Sequence, residues 1–152
     1  MLPVPDPFSR ADTLHLVATA TPDAVRDVLR KILAAPPVLR LPDDHRATVE
    51  LVLAEALNNI AEHAYAEASG QVGITLTIGR AGLECDLVDQ GRPMPEAQLP
   101  AGLLPRFDPG DLAQLPEGGF GWHLIRRLTR DLAYRRSAAG NHLHFVIPPE
   151  SP

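Results

Sequence analysis

Along residues 13–19, TLHLVAT, apolar and polar positions alternate among good β-formers, which predicts an early or edge strand. The period then changes. Val25, Val28, Leu29 and Ile32 recur at helical spacing. Thr21 stands where an N-cap belongs and Pro22 at the first helical position, with Asp23 in the first turn, where a carboxylate suits the helix dipole. Pro36-Pro37 is expected to end this helix. A second stripe, Val49, Val52, Leu53, Ala56 and Ile60, predicts a longer helix that begins after Pro42. Asp43 or Asp44 is its expected cap, and it should run to about Ala68 and close at Gly70.

Two runs of strand composition come next, QVGITLTIG and LECDLVDQG, and the short connection Arg80-Ala81-Gly82 predicts a hairpin. Residues 91–119 are dense in Pro and Gly. A loop of that length inside one domain is uncommon and reads as a lid or binding segment. FGWHLIRRLTRDL predicts a third helix with Leu124, Ile125, Leu128 and Leu132 inward, and AYRRSAAGNHLHFVIP predicts two strands joined at Ala139-Gly140-Asn141. The order β-α-α-β-β-lid-α-β-β predicts an α/β (α+β) two-layer sandwich, with helices on one face of a mixed, mainly antiparallel sheet. A single domain over 13–148 is expected, after a flexible tail at 1–12 and with the lid at about 92–119.

Composition narrows the function. The 152 residues suffice for a core without metal or disulfide support, and 45% apolar content argues against global disorder. No apolar run approaches the roughly 20 residues of a membrane span. MLPVPDPFSRAD has neither the basic start nor the apolar stretch of a secretory signal, so a cytoplasmic protein with no membrane partner is expected. Cys85, the single cysteine, can form no internal disulfide and lies in an apolar run that predicts a core thiol. The net charge of −5 and the lack of a basic block weigh against direct contact with nucleic acid. Lys31 is the only lysine and has no Walker A context, so any nucleotide chemistry here works without that device.

Three stretches carry candidate chemistry. In EALNNIAEHAY, Glu55, Asn59 and His63 are spaced four apart and share a helix face, whereas Glu62 lies one position off that row and Asn58 turns away. That face is either solvated or grips something. Asn59 can offer an amide oxygen to Mg²⁺, and Glu55 can deprotonate a hydroxyl that attacks phosphorus. In LVDQGRPMP, Asp89 ends an apolar strand and Gly91 lies two residues on. This is either turn chemistry or a carboxylate for an exocyclic amine, beside a backbone able to approach a flat ring. In PEGGFGWHLI, Gly118, Gly119 and Gly121 lead into a helix, as a structural turn or as exposed N–H donors for phosphate, and Trp122 reads as packing or rim. His142-x-His144 shares a strand face but shows no third metal ligand at useful spacing.

In this order, AEALNNIAEHAY, VDQGRPMP and GGFGWHLIRRL, with the later GN-x-L at 140–143, resemble the GHKL ATPase superfamily and its Bergerat fold. The likeness covers roughly residues 13–148 and is strongest to the bacterial anti-sigma-factor serine/threonine kinases. The resemblance implies ATP and Mg²⁺ as cofactors, Glu55 as general base and Asn59 as holder of the metal. It implies Asp89 as reader of the adenine amine, Gly91 as lining of the adenine pocket, and Gly119 and Gly121, beside Gly118, as approaches to the phosphates. Pro93 completes a D-x-G-x-P that fits the kinase-like branch. His63 matches the family's H-A/G-Y ending, as a structural histidine or a phosphate contact. Arg92 and Arg106 are candidates for neutralising the γ-phosphate. Glu62 departs from the pattern, since a carboxylate near polyphosphate is repelled unless it points away or helps hold the metal. The implied activity is phosphorylation of a serine on a small anti-anti-sigma (STAS-domain) partner, with inhibition of an alternative sigma factor and a possible homodimer. The alternative is a non-catalytic nucleotide-binding module that inhibits a partner by binding only.

Overall fold

A computed structural model describes residues 12–65, 70–95, 98–100 and 120–149. Strand β1 (Thr13–Thr19) leads into helix α1 (Pro22–Ala34), where Thr21 caps as expected, its hydroxyl accepting from the Ala24 amide at 3.2 Å. Pro36-Pro37 does end α1, but it also opens a short helix, α2 (Pro36–Leu39), since proline is preset for the first helical position. Helix α3 (Asp43–Asn59) begins after Pro42. Neither Asp43 nor Asp44 caps it. Both lie inside its first turn, where their charge meets the dipole, and Pro42 holds the cap position without a side-chain bond. The predicted run to Ala68 is also corrected: α-helical bonding stops at Asn59 and gives way to a π-helical turn, Ile60–Ala64. Residues 66–69 lie outside the described set.

Strands β2 (Gln71–Gly79) and β3 (Gly82–Asp89) form the predicted hairpin. Helix α4 (Phe120–Leu128) is shorter than its pattern suggests. The apolar spacing continues to Leu132, but the Thr129 hydroxyl bonds back to the Ile125 carbonyl and Asp131 takes a positive φ of 56°. The chain thereby turns into strand β4 (Arg130–Ser137), which pairs with β5 (Gly140–Ile147) through a register irregularity between Arg130 and Ala133. Pairing with β5 overrides the local helical pattern.

All strand pairings are antiparallel, so the sheet is not mixed among the described residues, and the order is β1-β2-β3-β5-β4. α1 and α4 both pack against α3, and side chains of all three helices join those of β2, β3 and β5 in one core. Val25, Ile32, Leu53, Leu57, Ile125 and Phe145 are among its fully or nearly fully buried members. This is the expected two-layer sandwich with one helical face. Alternation does the sorting on β3 and β5. Leu83, Cys85, Leu87 and Asp89 face the helices, as do Asn141, Leu143, Phe145 and Ile147 on β5, while Glu84, Asp86, Val88, His142 and His144 face away. Burial, and then the nearby charges of Asp86 and Glu84, push the Cys85 thiol well above its usual range, so it stays protonated as a core group. No helix among the described residues is long and apolar enough to cross a membrane.

The β3–β5 pairing sets the C-terminal end of β3 beside the start of β5, with Asp89 opposite Asn141. Two polar side chains from distant parts of the chain are thereby buried side by side at one end of the sheet.

Candidate functional site

A cavity of about 610 Å³ opens between the end of α3, the π turn, the segment after β3 and the first turn of α4. Ala56, Asn59, Ile60, His63 and Ala64 form one wall, Trp122 and Leu143 belong to its apolar lining, and Asp89, Pro93 and Asn141 close the sheet side. Three segments far apart in sequence therefore meet at one place. Its size suits a small-molecule ligand, and its character is apolar with a few converging polar groups.

Asn59 is 7% exposed, and its Nδ2 is the one buried side-chain nitrogen or oxygen without a hydrogen-bond partner among the described residues. Such an atom costs free energy unless something else occupies the site. Glu55 precedes Asn59 by one turn and is half-buried. A Cβ added to Gly121 would fall 2.6 Å from Glu55 Oε2 and 3.6 Å from Asn59 Nδ2. The glycine lets α4 close down onto the Glu55–Asn59 row. That contact is what the described residues show at Gly121. Gly118, Gly119 and Arg106 lie outside the described residues.

Asp89 is 4% exposed. Its Oδ1 accepts from the Gly91 amide at 2.8 Å and from Asn141 Nδ2 at 2.8 Å. Both bonds end on one oxygen, which leaves Oδ2 for a further donor. Gly91 does not line the cavity. A Cβ there would lie 2.5 Å from the Ala64 carbonyl oxygen, so glycine is needed for the π turn to dock, and the next amide, of Arg92, donates to that same carbonyl at 2.9 Å. Arg92 also donates from its guanidinium to the His63 carbonyl at 3.2 Å while lining the cavity.

The π turn settles the two side chains beyond Asn59. His63 lines the cavity, with its side chain 68% exposed. Glu62 does not line it and sits 3.9 Å from the imidazole of His63, turned to solvent. A carboxylate placed there does not point at the cavity.

The sequence reading missed the group that holds this arrangement. Asn141 Nδ2 donates to Asp89 and also to the carbonyls of Gly91 and Arg92, at 3.2 and 2.9 Å. Its Oδ1 accepts from the Tyr134 hydroxyl at 2.6 Å and from Arg136 Nη1 at 3.1 Å. Tyr134 in turn accepts from the Met94 amide at 2.9 Å, and Arg136 donates to the Gly91 carbonyl at 2.7 Å. One buried amide thus ties the acid, the segment after β3 and the β4–β5 hairpin together. The GN-x-L run marked the hairpin, and the Tyr134-x-Arg136 alternation was the available signal for its partners.

Known proteins share both the sequence pattern and the fold. A family model described as the histidine kinase-like ATPase domain matches residues 18–147. The chain is 32% identical over 146 residues to the serine/threonine-protein kinase BtrW of Bordetella bronchiseptica, covering 94% of this chain and 99% of that one. It is 29% identical over 89 residues to the serine-protein kinase RsbW of Bacillus mycoides, covering 59% of this chain and 56% of that one. Among solved structures, the RsbU and RsbW domains of Rv1364c from Mycobacterium tuberculosis align with a TM-score of 0.56 at 19% identity. That alignment covers 92% of this chain and 33% of the other, and supports the fold. The chain belongs to the histidine kinase-like ATPase domain family, on the side of its serine/threonine-protein kinases.

Proposed function

We propose that the chain is an ATP-dependent serine/threonine kinase that phosphorylates a small STAS-type anti-anti-sigma protein and also holds an alternative sigma factor. The observation that carries the reading is the convergence of Asn59 and Asp89 on one cavity, with Glu55 a helical turn from the unpartnered amide. Asp89 offers its second oxygen to the adenine amine, while Trp122 and Ile60 give the ring apolar walls. Asn59 fits a hard cation. No partner ties its Nδ2, and half a turn of the amide presents oxygen instead, the ligand atom that Mg²⁺ takes. When bound, Mg²⁺ neutralises phosphate charge. Glu55 accepts the proton of the target serine as that oxygen attacks the γ-phosphorus and ADP leaves. Arg92, beside His63 on the cavity wall, is the candidate cation for the phosphates among the described residues.

The partners are inferred from kinship with the named kinases, not from a surface of this chain. Incubation with γ-labelled ATP and a STAS-domain protein tests the activity. The expected result is a labelled partner with wild-type protein, and no label with Glu55→Ala although calorimetry still detects ADP. An unlabelled partner held in a stable complex would favour a binding-only module, and full transfer by Glu55→Ala would remove that residue from the chemistry.

A further inference from the structure

The face of the sheet turned away from the helices carries a second cluster, remote in character from the cavity. His144 stands directly opposite Asp86 across the β3–β5 ladder, with Glu84 two residues before Asp86 on the same face. His144 Nδ1 lies 3.0 Å from Asp86 Oδ1 and 4.0 Å from Glu84 Oε1. One ligand atom of each of the three falls within 4.8 Å of the other two. The sequence offers His142-x-His144 without further ligands, and strand pairing supplies them from β3.

We propose that Glu84, Asp86 and His144 form a binding site for a divalent transition-metal cation, Zn²⁺ foremost, distinct from the Mg²⁺ assigned to Asn59. The spacing fits. Zinc bonds of about 2.0–2.2 Å in tetrahedral array put ligand atoms roughly 3.4 Å apart, and the separations here straddle that value. The ligand set fits as well, since one imidazole with two carboxylates suits zinc better than an oxygen-only cation. Two carboxylates sharing this small space repel each other, and a dication between them reverses the sign of that interaction. His142 completes the arrangement from outside. Its Nε2 lies 2.7 Å from Asp86 Oδ1, while Arg135 meets its other ring nitrogen at 3.5 Å, so it acts as an orienting partner of the ligand carboxylate. Asp86 and His144 are only partly exposed, at 29% and 26%, which limits the loss of side-chain freedom on binding.

The test is calorimetric titration of tag-free, nucleotide-free protein with ZnCl₂ in excess Mg²⁺, which saturates oxygen-only sites. The expected result is one Zn²⁺ per chain, with the dissociation constant raised at least tenfold in each of Asp86→Asn, Glu84→Gln and His144→Ala and unchanged in His15→Ala. No saturable binding in wild type, or equal binding in all three variants, overturns the proposal. Should a variant fail to fold, imidazole NMR of the wild-type protein during the same titration decides. Shifts at His144 support the site, and shifts confined to His63 or His15 sink it.

Discussion

The strand pair β3–β5 presents a carboxylate to each of its two faces. Toward the helices, Asp89 faces Asn141; toward solvent, Asp86 faces His144. Both are carboxylates met by a polar group from β5, yet they behave differently. The inner acid is held by an amide and a backbone N–H, donors whose number is fixed at any ordinary pH. The outer acid is shared by two imidazoles, whose ring nitrogens can each donate or accept according to the tautomer. Burial explains the contrast. At 4% exposure an unmet lone pair or proton is costly, so the inner pair is wired into one geometry, whereas water at the outer face tolerates alternatives. A rigidly wired carboxylate and a more adaptable one thus arise from opposite faces of the same ladder.

The comparison predicts an order of effects on folding free energy. The largest belongs to Asn141→Ala. It strips the donor from Asp89 and from the carbonyls of Gly91 and Arg92, and the acceptor from Tyr134 and Arg136. A loss of about 2–4 kcal/mol is expected, read as a lower urea midpoint, together with weaker nucleotide binding because Asp89 is no longer aimed. An unchanged midpoint would show that the amide is not the keystone of the inner face.

Asp89→Asn should cost less. The substituted side chain keeps an oxygen for the Gly91 amide and Asn141, and exchanges the free oxygen for an NH₂ group. The fold should survive while ATP affinity falls roughly tenfold, about 1.4 kcal/mol, and preference for ATP over GTP shrinks. Equal discrimination before and after would take the adenine contact away from Asp89. Asp86→Asn on the outer face should change stability by less than about 1 kcal/mol and leave nucleotide affinity untouched, as expected of a partly solvated hydrogen-bonded carboxylate. A loss of ATP binding in that variant would mean the two faces are coupled through the sheet.

The contrast also separates what was legible in the sequence from what was not. Alternation and strand composition located every strand described, apart from the first three residues of β4, and the Thr21-Pro22 signal located the start of α1. Asn59 and Asp89 could be picked out because helix spacing and strand ends are local properties, and both line one cavity. The failures are non-local. The bond from Asn141 to Asp89 spans 52 positions and requires β5 to lie beside β3, which no local pattern states. The same adjacency hid the carboxylate partners of His142-x-His144. The stop of α4 at Leu128 was masked by apolar spacing that still looked helical, and the π turn leaves no period to read. Gly91 and Gly121 do permit close approach, and the protein groups they admit, Ala64 and Glu55, come from a helix and turn that no local pattern places beside them.

The smallest expected loss of stability, and the sharpest test, belongs to Asn59→Ala. In a core position, removal of a well-bonded amide destabilises. Here Nδ2 is buried and without a hydrogen-bond partner, so its removal takes away a desolvation cost that offsets the packing lost with the side chain. Stability should stay level or rise by up to about 1 kcal/mol in the free protein, while Mg²⁺-dependent nucleotide binding disappears. The two readouts must move apart, because an unpartnered polar group persists in a fold when the site it serves is worth more than the stability it costs. If Asn59→Ala instead unfolds the protein as readily as Asn141→Ala, the amide is structural on both sides of the cavity. The inner face would then be a packed joint, and the nucleotide reading would lose its metal ligand.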